Sequence, residues 1–173
     1  FVEEEAKRQE CIENITAKAI PQLVNEAKPE LMENDWVTNF FDKCRIVSDE
    51  QMQNLWSKIL AGEANSPGRY SKRTVNFLSE LDKTDAEMFS KLCGFGCVLG
   101  RPTILVFNHH DEIYVKNEIT FALLMHLESI GLINYHQLNQ FNLSGYSDKF
   151  PVFYYGKTLV LTIPDGNPNH QFR

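Results

Sequence analysis

No stretch of the 173-residue sequence approaches the ~20 consecutive apolar residues needed to cross a bilayer. The N-terminus, Phe1-Val2-Glu3-Glu4-Glu5-Ala6-Lys7-Arg8, lacks the basic-then-apolar layout of a signal peptide. Together these absences predict a cytoplasmic protein with no membrane contact in this segment. Positive charge is also scarce: 17 Lys and Arg stand against 23 Asp and Glu, for a net charge of −6. That is the reverse of the broad positive field that nonspecific nucleic-acid binders use, so any nucleic-acid contact must be local. Cysteine is sparse, and Cys93-Gly-Phe-Gly-Cys97 is half a zinc site at best, because a structural site needs four ligands. With Cys11 and Cys44, these residues are expected to be reduced, buried thiols. Gly-rich phosphate loops, G-x-S-x-G elbows, H-E-x-x-H helices and Cys-x₂-Cys pairs do not occur. Catalysis therefore has little support, and neither cofactor nor metal is expected.

What is present is the composition of an ordinary globular domain, 43% hydrophobic, 23% charged and 12% aromatic. A chain of this length buries roughly 70% of its unfolded surface, enough for a core without disulfides or metal. Because residue 1 is Phe rather than Met, the chain is expected to be a fragment of a longer protein.

Texture divides the chain into a helical half, 1–97, and an α+β half, 98–173, expected to form one compact unit. Ile12, Ile15 and Ala19 mark a helix that Pro21 interrupts, and Leu23, Val24, Ala27 and Leu31 mark a second short one. Asn34 or Asp35 is placed to cap a helix whose stripe is Trp36, Val37, Phe40, Phe41 and Cys44. Ser48-Asp49-Glu50-Gln51 reads as a capping box for a helix with Met52, Leu55, Trp56, Ile59 and Leu60 inside and Gly62 at its end. Ser71 starts a helix with Val75, Leu78 and Leu81, and Thr84-Asp85-Ala86-Glu87 opens another with Met88, Phe89, Leu92 and Cys93. Farther on, 103–107 reads as a strand, Glu112 to Val115 as a short return strand, and Asn117 as the cap of a helix that Gly131 ends. Leu132 to Tyr135 reads as a strand, and 151–155 with 157–163 as a hairpin around Gly156. The fold expected is α+β and mainly helical, with N-terminal amphipathic helices packed on a small winged-helix-like C-terminal half carrying a β-hairpin.

The string from Ser48 to Glu63, followed by Pro67-Gly68, Ser71, Arg73-Thr74 and Leu78 to Leu81, resembles a family of bacterial proteins, the domain of unknown function 2806. The resemblance extends to Ala86, Phe89, Leu92-Cys93 and Leu127-Glu128-Ser129-Ile130-Gly131-Leu132-Ile133. A looser version of the helix-loop-helix resembles part of the abortive-infection alpha group of phage-defence proteins. It implies an accessory module in a defence or mobile-element setting, and it implies no activity.

Three sets of residues stand out as candidate sites. Glu63 and Arg73 lie at the two ends of a helix-loop-helix turn, where a structural ion pair would fix the loop, since a guanidinium gives a carboxylate two aligned donors. Arg69, Tyr70, Lys72 and Arg73 form the local basic cluster, with an aromatic ring for stacking, and are candidates for anion or nucleic-acid contact. Phe153, Tyr154 and Tyr155 offer an aromatic surface for a protein partner or for self-association. His109-His110-Asp111-Glu112 has metal-ligand chemistry, but adjacent histidines on a turn do not normally reach one ion, and a solvated turn is the better account. The helix over 117–131 holds no Lys or Arg, which argues against its reading a DNA groove. A non-enzymatic interaction domain is the leading expectation, and a winged-helix-like nucleic-acid binder using the 69–73 loop is its rival.

Overall fold

Helical spacing in the first part of the chain produces five α-helices: α1 (Val2–Ala19), α2 (Asn34–Cys44), α3 (Glu50–Asn65), α4 (Lys72–Ser79) and α5 (Lys83–Cys93). The computed structural model describes residues 2–99, 101–104, 106, 109–135, 141–142, 149–162 and 171–172. The fold is α+β and mainly helical: five helices come first, and two more lie between the strand pairs of a small four-stranded antiparallel sheet. It comprises two compact units, residues 1–83 and 84–173. The packing boundary falls one helix before the change of texture near residue 97, because Leu92 of α5 is buried with Leu124 and Leu127 in the second unit's core.

The core of the first unit is aromatic. Trp36 stacks on Phe40 with ring centroids 5.1 Å apart, and Phe40 meets Trp56 edge-on at 5.1 Å. The three rings are almost wholly buried among Ile15, Ala19, Cys44, Leu60, Val75 and Leu78. Burial of such side chains is worth roughly 1.5–3 kcal/mol each, with about 0.5–1.5 kcal/mol more per aromatic pair. Leu55 and Ile59 pack at the margin of this core.

Several helix ends differ from expectation. Asp49, not Ser48, caps α3, its carboxylate accepting the amides of Gln51 and Met52. Neither Asn34 nor Asp35 caps α2, which starts after Glu33 without a side-chain cap. A 3-10 turn (Ile20–Gln22) contains Pro21, and a second 3-10 turn (Pro29–Leu31) stands where the second short helix was expected, with Leu23, Val24 and Leu31 exposed. The cause is Asn65, whose amide accepts from Val24 N at 3.0 Å and donates to Gln22 O at 3.0 Å, taking up backbone groups that a helix would need. Gly62 does not end α3, which runs on to Asn65.

In the second unit, α6 (Glu112–Lys116) and α7 (Phe121–Ser129) pack on α5 through Leu92, Tyr114, Ile119, Leu123, Leu124 and Leu127. Residues 112–116 form a helical turn rather than the expected strand. A single turn seats Tyr114 against Phe95 at 5.0 Å and leaves the β-branched Ile113 and Val115, which gave the strand signal, in solvent. Asn117 closes α6 instead of opening α7; the α7 cap is Thr120, which accepts from Leu123 N. Residues 132–135 are not a strand.

Strands β1 (Gly96–Leu99), β2 (Arg101–Ile104), β4 (Lys149–Tyr154) and β5 (Lys157–Thr162) form a sheet in the order β2-β1-β4-β5, and β3 (Phe141–Asn142) pairs separately with β6 (Gln171–Phe172). The strand expected at 103–107 thus begins earlier, at Arg101; Leu105, Phe107 and Asn108 lie outside the described residues, as does Ile163 at the hairpin's end. The hairpin forms as expected, with Tyr154 opposite Lys157 across a two-residue turn, Tyr155-Gly156. Both turn residues have positive φ, 46° and 73°, the conformation whose twist matches paired strands.

Candidate functional site

The helix-loop-helix over α3 and α4 is built around a buried acid. Glu63 is 2% exposed, and its two carboxylate oxygens accept different backbone amides, Gly68 N at 2.6 Å and Tyr70 N at 2.8 Å. A carboxylate that takes a separate amide on each oxygen is charge-satisfied without a cation and fixes the loop after Pro67. Arg73, its expected partner, points to solvent on α4, and no ion pair joins the two among the described residues. The pairing with Arg73 is therefore replaced by main-chain capture. A second close approach locks the same loop: a Cβ on Gly62 would lie 2.8 Å from Tyr70 Cε2, so the tyrosine ring occupies the space that glycine leaves.

Tyr70 in turn carries Arg69, whose guanidinium carbon is 5.4 Å from the ring centroid. Lys72 reaches Glu33 at 3.9 Å and Asp35 at 3.7 Å, so two carboxylates offset its charge. Arg69, Lys72 and Arg73 are brought together at the start of α4, where Ser71 caps the helix by accepting from Thr74 N. Beside them lies a cleft of about 530 Å³ lined by Leu31, Glu33, Trp36, Glu63, Tyr70 and Lys72. The buried indole N–H of Trp36 finds no partner among the described residues. Both Glu63 oxygens are engaged by backbone amides at the wall of this cleft.

The hairpin residues separate by the pleat. Cross-strand pairing puts Phe153 on one face with Val98, Pro151, Thr158 and Val160, while Phe150, Val152, Tyr154 and Leu159 share the other. Phe150 and Val152 are buried with Cys97 and Leu99 against them. Tyr154 donates its hydroxyl to Gly94 O at 3.0 Å, which makes it partly structural. Tyr155 projects from the turn at 71% exposure and meets Tyr154 edge-on at 4.8 Å.

Other titratable groups take local roles. The rings of His109 and His110 meet at 4.1 Å, tilted by 41°, and among the described residues no group of three or more His, Cys, Asp or Glu side chains can hold a metal ion. His126 on α7 places Nε2 2.6 Å from Asp85 Oδ1. Lys83 holds the Asp49 carboxyl below its usual range by a direct hydrogen bond, aided by the amide of Met52, and Lys91 does the same for Glu118. Burial, followed by the charge of Cys11, pushes the Cys44 thiol up to about 12. No described helix is long and apolar enough to cross a membrane.

The chain thus combines a buried carboxylate held by its own loop with a sheet that exposes Phe153, Leu159 and Val160, in a mainly helical α+β fold. The chain belongs to the family described as protein of unknown function (DUF2806), whose model matches residues 1–172. Comparison with curated proteins and with solved structures finds no match.

Proposed function

We propose that the chain is a non-enzymatic bacterial interaction module that uses its C-terminal hairpin to contact a protein partner in the cytoplasm. The observation that supports this reading is Tyr155. It holds φ at 46°, a conformation that costs an ordinary L-residue roughly 1 kcal/mol, at a turn position where Asn or Gly is the relaxed choice. It is also the most exposed ring on the sheet, at 71%. Strain kept at an exposed aromatic points to a use outside the fold. An accessory part in phage defence or in a mobile element, which the looser resemblance implies, belongs to the same proposal.

A second reading, a winged-helix-like nucleic-acid binder, draws on Arg69, Lys72 and Arg73 at the start of α4, where cations oppose the helix dipole and so add nothing to helix stability. Fluorescence anisotropy with duplex DNA and with RNA over a salt series tests the choice. The interaction reading expects weak binding that the triple change of Arg69, Lys72 and Arg73 to Ala leaves unaltered. Steep salt dependence abolished by that change would establish the second reading instead.

A further inference from the structure

The two edges of the four-stranded sheet are built differently. At one edge, β2 contains Arg101 and Pro102, residue types that blunt a strand against further pairing. At the other edge, β5 reads Lys157-Thr158-Leu159-Val160-Leu161-Thr162, with no proline, no bulge and a charge only at the turn end. Leu159 and Val160 are 46% and 62% exposed there, and among the described residues β5 pairs only with β4.

Hairpin geometry fixes which backbone groups are unspent. The pair flanking a two-residue turn, Tyr154 and Lys157, exchanges hydrogen bonds, so alternation directs Lys157, Leu159 and Leu161 toward β4. The N–H and C=O groups of Thr158, Val160 and Thr162 then face the open edge. We propose that this edge pairs antiparallel with β5 of a second copy of the chain, centred on Val160 opposite Val160. The register is self-consistent: Thr158 falls opposite Thr162 of the other copy, and each outward group meets an outward group, for roughly six main-chain hydrogen bonds. Thr–Thr and Val–Val are favourable cross-strand neighbours. The two Lys157 ammonium groups sit at opposite ends of the paired segment, roughly 20 Å apart at a strand's rise, so no like charges oppose each other. Eight strands become continuous, and the exposed stripe through Phe153 and Val160 extends across the dyad.

This proposal rests on reading the sheet as a contact surface, but Tyr155 lies outside the paired segment, so tests at Tyr155 and tests at β5 can fail separately. Sedimentation equilibrium of the purified chain is the experiment. A doubling of the 20.0 kDa mass is expected. Val160→Pro removes the outward N–H at the dyad and uses no bond to β4; it should weaken self-association by roughly tenfold or more. If that variant does not fold, Thr158→Lys, which puts like charge along the open edge, supplies the same reading. Val160→Cys should form a disulfide-linked dimer under diamide, which takes up the two electrons and two protons that the thiols release, whereas Thr158→Cys should not. A wild type that stays at single-chain mass, or a dimer that persists in both Val160→Pro and Thr158→Lys, overturns the proposal.

Discussion

The carboxylate of Glu63 closes on the amide of Gly68 at 2.6 Å, five residues along the chain, while its other oxygen holds Tyr70 N at 2.8 Å. An acid that caps a loop in this way is replaceable only by another double acceptor. Glu63→Ala should cost about 3 kcal/mol, because two amides lose a charged acceptor at a buried position, and Glu63→Gln about half as much. Arg73→Ala should stay within about 0.5 kcal/mol, and the Glu63→Ala/Arg73→Ala double variant should be additive. Urea melts of the set measure this. A coupling of 1 kcal/mol or more would place Arg73 back against Glu63.

Gly62 and Tyr70 predict a change of sign. Glycine inside a helix is less favourable than alanine by roughly 1 kcal/mol, so Gly62→Ala should stabilise α3 if space allowed. The Tyr70 ring, 2.8 Å from the new Cβ, makes the substitution destabilising instead. In a Tyr70→Ala background the obstacle is gone, and the same change should stabilise. Thermal melts that show the same sign in both backgrounds would contradict this packing.

Much of the fold is written in periodicity, and much of the site is not. Trp36, Phe40 and Cys44 repeat at helical spacing, and all three are buried; Gly156 marks the hairpin, and the strands pair across it. Gly131, expected to end α7, adopts φ of 80° just beyond it. Glu63 was legible as a residue of consequence but not in its partners, because backbone amides leave no mark on side-chain identity. A loop opening on Pro67-Gly68 soon after an acid at a helix end was the available signal. Gly62 looked like a helix stop because composition does not tell a cap from a close approach by a distant ring. Ile113 and Val115 carried strand propensity that the burial of Tyr114 overrode.

Tyr155→Asn should raise stability by roughly 0.5–1 kcal/mol by relaxing the left-handed turn position, while removing the exposed ring. Guanidinium melts check it. A loss of stability would show that the contact with Tyr154 outweighs the backbone strain, and Tyr155 would then need no role beyond the fold.

The Cys44 thiol, pushed up to about 12 from the ordinary 9.0 by burial and by Cys11, predicts an alkaline limit. Its folded pKa lies above its unfolded one, so its contribution to stability is intact below about 9 and is lost as pH rises toward 12. Urea titrations between those values should slope less steeply for Cys44→Ala than for the wild type. At neutral pH, iodoacetamide should reach the half-buried Cys93 and Cys97 before Cys44. Early labelling of Cys44 would show that its site opens without global unfolding.

Placing a photo-crosslinking amino acid at Tyr155 and, separately, at Tyr70 in the intact chain in bacterial cells compares the two candidate surfaces directly. The interaction reading predicts a discrete protein adduct from position 155, lost when Phe153→Asp is added, and no nucleic-acid adduct from position 70. A nuclease-sensitive adduct from position 70 with none from position 155 would contradict it.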